Sequence, residues 1–162
     1  MRAGISLGSN LGDRHSMLEI ALKNLRMIHE QGDFLVSQTL ETEPVDCPPG
    51  SPLFLNAVAE LGTFLDPLKL LTRLQTLEIE LGRPLNHGCH EPRCLDLDIL
   101  YCDDLQLNHP LLQVPHPRIT ERYFVLKPLS EIRPHMKLPG WSLNCMEYLS
   151  IISNKDSYHI NY

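Results

Sequence analysis

The sequence predicts an α+β fold: a ferredoxin-like β-α-β-β-α-β sandwich followed by a C-terminal extension. Three observations carry the prediction. Two stretches repeat apolar residues at helical spacing, and each lies between short apolar runs that read as strands. The stretch from Leu95 to Ile99 alternates strictly between apolar residues and aspartates. The chain of 162 residues is long enough for one domain with a substantial core, and its 43% apolar and 21% charged composition is that of an ordinary globular protein. A single domain over 1–153 and a polar tail over 154–162 are expected.

Met1-Arg2 runs straight into Ala3-Gly4-Ile5-Ser6-Leu7, a first strand, so no leader peptide is expected. Gly8-Ser9-Asn10-Leu11-Gly12-Asp13 is a glycine turn with Asp13 placed to cap a helix. It matches neither a Walker A loop nor Gly-x-Gly-x-x-Gly. Leu18, Ala21, Leu22, Leu25 and Ile28 place an amphipathic helix over 14–30. Gln31-Gly32-Asp33 breaks it, and Phe34 to Leu40 reads as a second strand. Glu41 to Pro52 is a proline-rich loop, longer than a simple connection needs, which favours a functional role.

Phe54 to Leu61 reads as a third strand with Phe54, Asn56 and Val58 on one face. Asp66-Pro67 is a cap followed by proline at the first helical position. Leu70, Leu74, Leu77 and Leu81 give the helix its core stripe, and Gly82 ends it. Gln75 and Glu78 share one flank, which by pattern alone is a solvated helix edge.

The chain's chemistry concentrates in Glu91-Pro92-Arg93-Cys94-Leu95-Asp96-Leu97-Asp98-Ile99-Leu100. On a strand, Leu95, Leu97 and Ile99 face one way and Asp96 and Asp98 the other. Residues two apart on a strand are about 6.6 Å apart, so these carboxylates repel unless a cation lies between them, and hard oxygen ligands suit magnesium. The apolar surroundings predict a central strand running to about Leu105, where unpaired carboxylates would be costly. Just before it, His87, Cys89, His90 and Cys94 are ligand types whose spacing fits no closed zinc site. After it, His116, Arg118 and Arg122 form a local positive patch suited to an anion. Leu129 to Pro139 reads as irregular or short helix, and Trp141 to Ile152 as a last helix.

The net charge of −6 argues against general nucleic-acid binding. No apolar run is long enough to span a bilayer. Five cysteines, an odd number with no Cys-x-x-Cys pair, favour reduced thiols and a cytoplasmic location.

Six stretches occur together in one order: Leu7-Gly8-Ser9-Asn10-Leu11-Gly12; Glu41-Thr42-x-Pro44-Val45; Phe54-Leu55-Asn56; Leu74-Gln75-x-x-Glu78-x-x-x-Gly82-Arg83; Pro92-Arg93-x-Leu95-Asp96-Leu97-Asp98-Ile99; and Val114-Pro115-His116-Pro117-Arg118. With them the chain resembles the 6-hydroxymethyl-7,8-dihydropterin pyrophosphokinases of folate synthesis, from about Ile5 to Pro134. The resemblance implies transfer of pyrophosphate from ATP, the co-substrate, to the hydroxymethyl group of the pterin, with release of AMP. It implies two Mg2+ ions on Asp96 and Asp98, and catalytic roles for Arg83 and Arg93 beside them. It places Leu71, Gln75, Glu78, Arg83, Arg93, Ile99, His116, Arg118 and Arg122 around ATP. It places Thr42, Pro44, Val45, Phe54, Asn56, Asp96 and Phe124 around the pterin. Two aromatic rings would sandwich the flat ligand there while Asn56 reads its polar edge. By residue type alone, Phe54 and Phe124 read as core.

The implied partners are these two small molecules, with no nucleic acid, no membrane, and a monomer or weak dimer. The sequence also departs from the family. Leu85 stands where a second arginine is common, Cys89 and His90 where a basic and an aromatic residue are common, and Glu43 where proline is common. In the family that loop closes over the substrates, so the departures predict slower turnover. They also keep open a non-catalytic relative that holds pterin or nucleotide. A metal nuclease using Asp-x-Asp is disfavoured by the acidic balance. No residue stands out as a general base, and metal activation of the hydroxyl would suffice.

Overall fold

The computed structural model describes residues 1–45, 48–82 and 94–157, with side chains to residue 154. Seven strands and four helices are described: β1 (Arg2–Ser9), α1 (Arg14–Met27), β2 (Leu35–Val36), β3 (Leu40–Thr42), β4 (Phe54–Gly62), α2 (Pro67–Glu80), β5 (Asp96–Cys102), β6 (Leu107–His109), β7 (Leu112–Val114), α3 (Tyr123–Ile132) and α4 (Cys145–Ser157), with a 3-10 turn at Ile119–Glu121 before α3. The main sheet runs β2-β4-β1-β5, with β3 also on β4, and every pair is antiparallel. The hairpin β6-β7 stands apart as a second sheet.

Local chemistry explains most boundaries. Asp13 caps α1 by accepting from Ser16 N (3.1 Å) and Ser16 Oγ (2.8 Å). The helix stops at Met27 rather than residue 30. Glu30 N donates instead to Gly62 O (2.8 Å), and Glu30 Oε2 accepts from Phe64 N (2.6 Å) and Thr63 Oγ1 (3.0 Å). Asp66 caps α2 through Leu68 N and Lys69 N, with Pro67 in the first turn. The expected second strand is two short ones. Between them Ser37 N donates to Val58 O while Ser37 Oγ accepts from Val58 N, both 2.9 Å. A side-chain oxygen thus replaces a backbone carbonyl and interrupts the ladder.

The aspartate strand β5 lies at an edge of the sheet, not at its centre, and ends at Cys102. Its apolar look has another source: both sheet faces are covered. Leu97, Ile99 and Cys102 join the core between the sheet and α1–α2, with Ile5, Leu7, Leu25 and Leu74. Leu100 and Tyr101 join a second core with Val58 under α3 and α4. Two apolar residues in succession face the same side because the β1–β5 register shifts between Gly4 and Ile5, which leaves Leu100 as the extra residue of a bulge. The C-terminal segment is therefore a third layer. Its helix α3 starts at Tyr123, ahead of the stretch from Leu129 expected to be irregular or short helix, and ends at Ile132, while α4 starts at Cys145, not Trp141. Among the described residues, no helix is long and apolar enough to cross a membrane.

Candidate active site

Register fixes which side chains share a face. Gly8 of β1 pairs with Asn56 of β4 on one side and Asp96 of β5 on the other. Ser6 pairs likewise with Val58 and Asp98. Asn56 and the two aspartates therefore line one end of the sheet face that looks toward the C-terminal layer. Thr42 of β3 extends this end across Phe54, and Asn56 Nδ2 donates to Thr42 Oγ1 (2.9 Å). That bond fixes the amide and leaves its carbonyl toward Gly8. A Cβ on Gly8 would lie 3.3 Å from Asn56 Oδ1 and 3.7 Å from Phe54 Cδ1, so glycine here keeps the floor between Asn56 and Asp96 low.

Arg122, at the N-cap of α3, reaches back to this face. Its Nη1 is 3.9 Å from Asp98 Oδ2, and its Cζ is 5.7 Å from the Phe124 ring centroid. Thr42, Val45, Arg118, Arg122 and Phe124 border one cavity of about 300 Å3. The structure thus joins pterin and nucleotide candidates from the proline-rich loop and from α3. Ile152 of α4 also borders it. That residue was missed, because nothing in a short C-terminal apolar repeat says what it covers.

The nucleotide candidates on α2 follow one stripe: Leu71, Gln75 and Glu78 are spaced four and three apart. From this stripe Glu78 reaches the edge of β5, where its Oε1 accepts from Leu97 N (2.7 Å) between the two aspartates. Gln75 is exposed, but Glu78 is only 4% exposed, so the solvated edge that the pattern suggested for the pair is corrected at Glu78. Tertiary pairing with an edge-strand N–H buries it. Ile99, by its side chain, is a core residue.

His116 N donates to Leu100 O (2.7 Å), and its Nδ1 accepts from Arg118 N (3.1 Å), so the neutral ring carries its proton on Nε2. Burial, then the charges of Arg122 and Arg118, lower its pKa below the usual histidine value. The positive patch is thus the two arginines, not the imidazole. Arg118 also lies 3.7 Å from Glu121.

The loop that carries Pro44 and Val45 is tied at both ends to the β1–α1 turn. Arg14 Nη1 donates to Leu53 O (2.8 Å) and Nη2 to Glu41 Oε2 (2.7 Å), and Asn10 Nδ2 reaches Pro52 O (3.4 Å). Arg14 had no sequence signal, since an arginine in a first helical turn is ordinary surface. Arg83 and Arg93, with Leu85, His87, Cys89 and His90, lie outside the described residues.

For magnesium, the donor set fits. Asp96 and Asp98 are hard carboxylates on one partly exposed face, and no cluster of three or more His, Cys, Asp or Glu among the described residues competes with them.

The family model for 7,8-dihydro-6-hydroxymethylpterin-pyrophosphokinase (HPPK) matches residues 4–134. A Pseudomonas aeruginosa 2-amino-4-hydroxy-6-hydroxymethyldihydropteridine pyrophosphokinase is 40% identical over 140 residues, covering 85% of this chain and 84% of its own. The Bacillus subtilis protein of that name is 42% identical over 132 residues, covering 80% and 77%. Among solved structures, wild-type Plasmodium falciparum HPPK-DHPS aligns with a TM-score of 0.76 at 16% identity. That alignment covers 99% of this chain but 46% of the longer one, and is a likeness of fold. The chain belongs to the 7,8-dihydro-6-hydroxymethylpterin-pyrophosphokinase family.

Proposed function

We infer that the chain transfers pyrophosphate from ATP to 6-hydroxymethyl-7,8-dihydropterin, giving AMP and the pterin diphosphate, a step of folate biosynthesis. One observation carries the reading beyond family membership: Asp96 and Asp98 share a sheet face with Asn56 across the bare floor at Gly8. A carboxylate pair for a metal–triphosphate thus adjoins a polar reader for a flat heterocycle.

In this reading Asn56, held by Thr42, reads the polar edge of the pterin, while Phe54 and Phe124 contribute aromatic surface. Val45 and Pro44 complete the wall. The substrate oxygen attacks the β-phosphorus, the α–β bridging bond breaks, AMP leaves, and the hydroxyl proton is lost to solvent. Asp96 and Asp98 would hold two Mg2+ ions, whose chemistry is to neutralise triphosphate charge and make the hydroxyl more acidic. Arg122, Arg118 and neutral His116 suit the phosphate end, and Arg83 and Arg93 take the same role from the family pattern. In this reading Leu71, Gln75, Glu78 and Ile99 would take the nucleotide base near the edge of β5, which the contact of Glu78 with Leu97 N supports.

The strand order β2-β4-β1-β5, with β2 and β3 together as the second strand of the motif, supports the ferredoxin-like arrangement. A single domain, cytoplasmic and monomeric or weakly dimeric, fits this reading. The test is AMP release with magnesium, ATP and the pterin. The wild type should release AMP, and Asp96→Ala and Asp98→Ala should abolish it. A wild type that binds pterin without making AMP would favour the non-catalytic relative suggested by Leu85, Cys89 and His90.

A further inference from the structure

The face that carries the site continues inward for one more row. Below Asn56–Gly8–Asp96 and Val58–Ser6–Asp98 comes Glu60–Gly4–Tyr101. In this row the Tyr101 ring crosses β1 and its hydroxyl donates to Glu60. Only glycine permits the crossing, since a Cβ on Gly4 would fall 2.2 Å from Tyr101 Cε1. Glu60 is 1% exposed. Its carboxylate also accepts from Arg133, through Nη2 and through Nε at 3.1 and 3.2 Å, and Arg2 Nε lies 3.7 Å away.

A buried ion pair of this kind adds little stability over an apolar group of the same size, but it fixes geometry through a forked, directional contact. What it fixes is α3. Arg133 is the C-cap of that helix, and the opposite end carries Arg122 and Phe124. Pro128 sits inside α3 and removes the N–H that would bond the Phe124 carbonyl. The helix ladder is therefore weakest where it bears the site residues, and its seat depends on ties to the sheet. A second tie is Glu131 Oε2 accepting from Gln38 N (3.0 Å).

We propose that Glu60, Tyr101 and Arg133 are positioning residues for the pterin pocket, seating α3 so that Phe124 and Arg122 stand over the face of Asn56 and Asp98. The proposal rests on the pterin reading of that face. Glu60 and Arg133 also border a cavity of about 470 Å3 together with Arg2, Gly62 and Asp103.

The test replaces the triad by apolar groups, Glu60→Met with Tyr101→Phe and Arg133→Met, in the wild type and in Phe124→Ala. The melting temperature and the pterin dissociation constant, by pterin fluorescence with magnesium and a non-hydrolysable ATP analogue, are read for all four proteins. The triple variant should melt within a few degrees of the wild type and bind pterin about tenfold more weakly. In Phe124→Ala the same triad change should alter pterin binding less than about twofold, because Phe124 is the α3 side chain that meets the pterin in this reading, Arg122 serving the phosphate end. Unchanged pterin affinity in a folded triple variant overturns the proposal, and so does an equal loss in both backgrounds. Should the triple variant fail to fold, Arg133→Lys keeps the charge without the fork and should give a smaller loss with the same dependence on Phe124. Unchanged affinity there overturns it too. A wild type that binds no pterin instead refutes the reading of the site.

Discussion

Replacing Gly8 by alanine tests the floor of the site with one methyl group. The added Cβ would lie 3.3 Å from Asn56 Oδ1 and 3.7 Å from Phe54 Cδ1. The first contact is tight but ends on a side chain, and the backbone of Gly8 is extended strand, which alanine adopts freely. Alanine also narrows the unfolded ensemble, by about 0.4–1 kcal/mol in favour of the fold. Stability should therefore change by less than about 1 kcal/mol, or a shift of at most about 4 °C for a chain of this size. Binding should change far more. A flat ligand against Gly8 would be lifted by about one carbon–carbon bond, roughly 1.5 Å. A displacement of about 1 Å costs on the order of a hundredfold in reactivity. Steady-state AMP release should show kcat/KM for the pterin down by roughly that factor, with KM for ATP little changed. Wild-type pterin kinetics in Gly8→Ala would refute the placement of the heterocycle on this floor. A melting temperature lower by 10 °C or more would refute the premise that the floor is only a floor.

Other consequences are smaller but separable. Leu74→Ala empties a site 1% exposed under α2 and should cost about 2–5 kcal/mol, seen as a melting temperature lower by at least about 4 °C. Arg14→Met releases the Glu41 end of the proline-rich loop and removes one of two ties at the Pro52–Leu53 end. At about 0.5–1.5 kcal/mol per hydrogen bond, the two bonds lost amount to about 1–3 kcal/mol, so KM for the pterin should rise by roughly fivefold to a hundredfold while KM for ATP holds. His116 has its pKa depressed in the fold, so as pH falls the unfolded chain takes up the proton first, near pH 6.5. Stability should then fall from just above pH 6.5 down to the folded pKa, and His116→Asn, which retains an acceptor at the Nδ1 position, should lessen the drop in melting temperature between pH 7.5 and 5.5. Leu85→Arg restores a cation common at that position in the family and should raise turnover or lower KM for ATP; no change in either would show that this departure is harmless.

The sequence by itself determined the elements whose signals are local. Asp13 and Asp66 cap helices because their carboxylates need only backbone N–H groups two or three residues on. The alternation from Leu95 to Ile99 places Asp96 and Asp98 on one face whatever the partner strands are. The ordered motifs were enough for the family. Tertiary structure decided where a local signal is overruled or absent. Helix α1 ends early because Gly62 and Phe64 capture Glu30. The aspartate strand reads as central yet is an edge, because a hydrophobic run reports burial on both faces and not neighbours on both sides. The start of α3 at Tyr123 was hidden by Pro128, a residue that argues against a helix locally and is tolerated when packing on the sheet offsets the lost hydrogen bond. Glu60 and Tyr101 are 41 residues apart in the chain, and only the pairing of β4 and β5 on either side of β1 brings them across Gly4. Sequence periodicity acts over a few residues, whereas contact across a sheet depends on strand order and register, which are set by the whole chain.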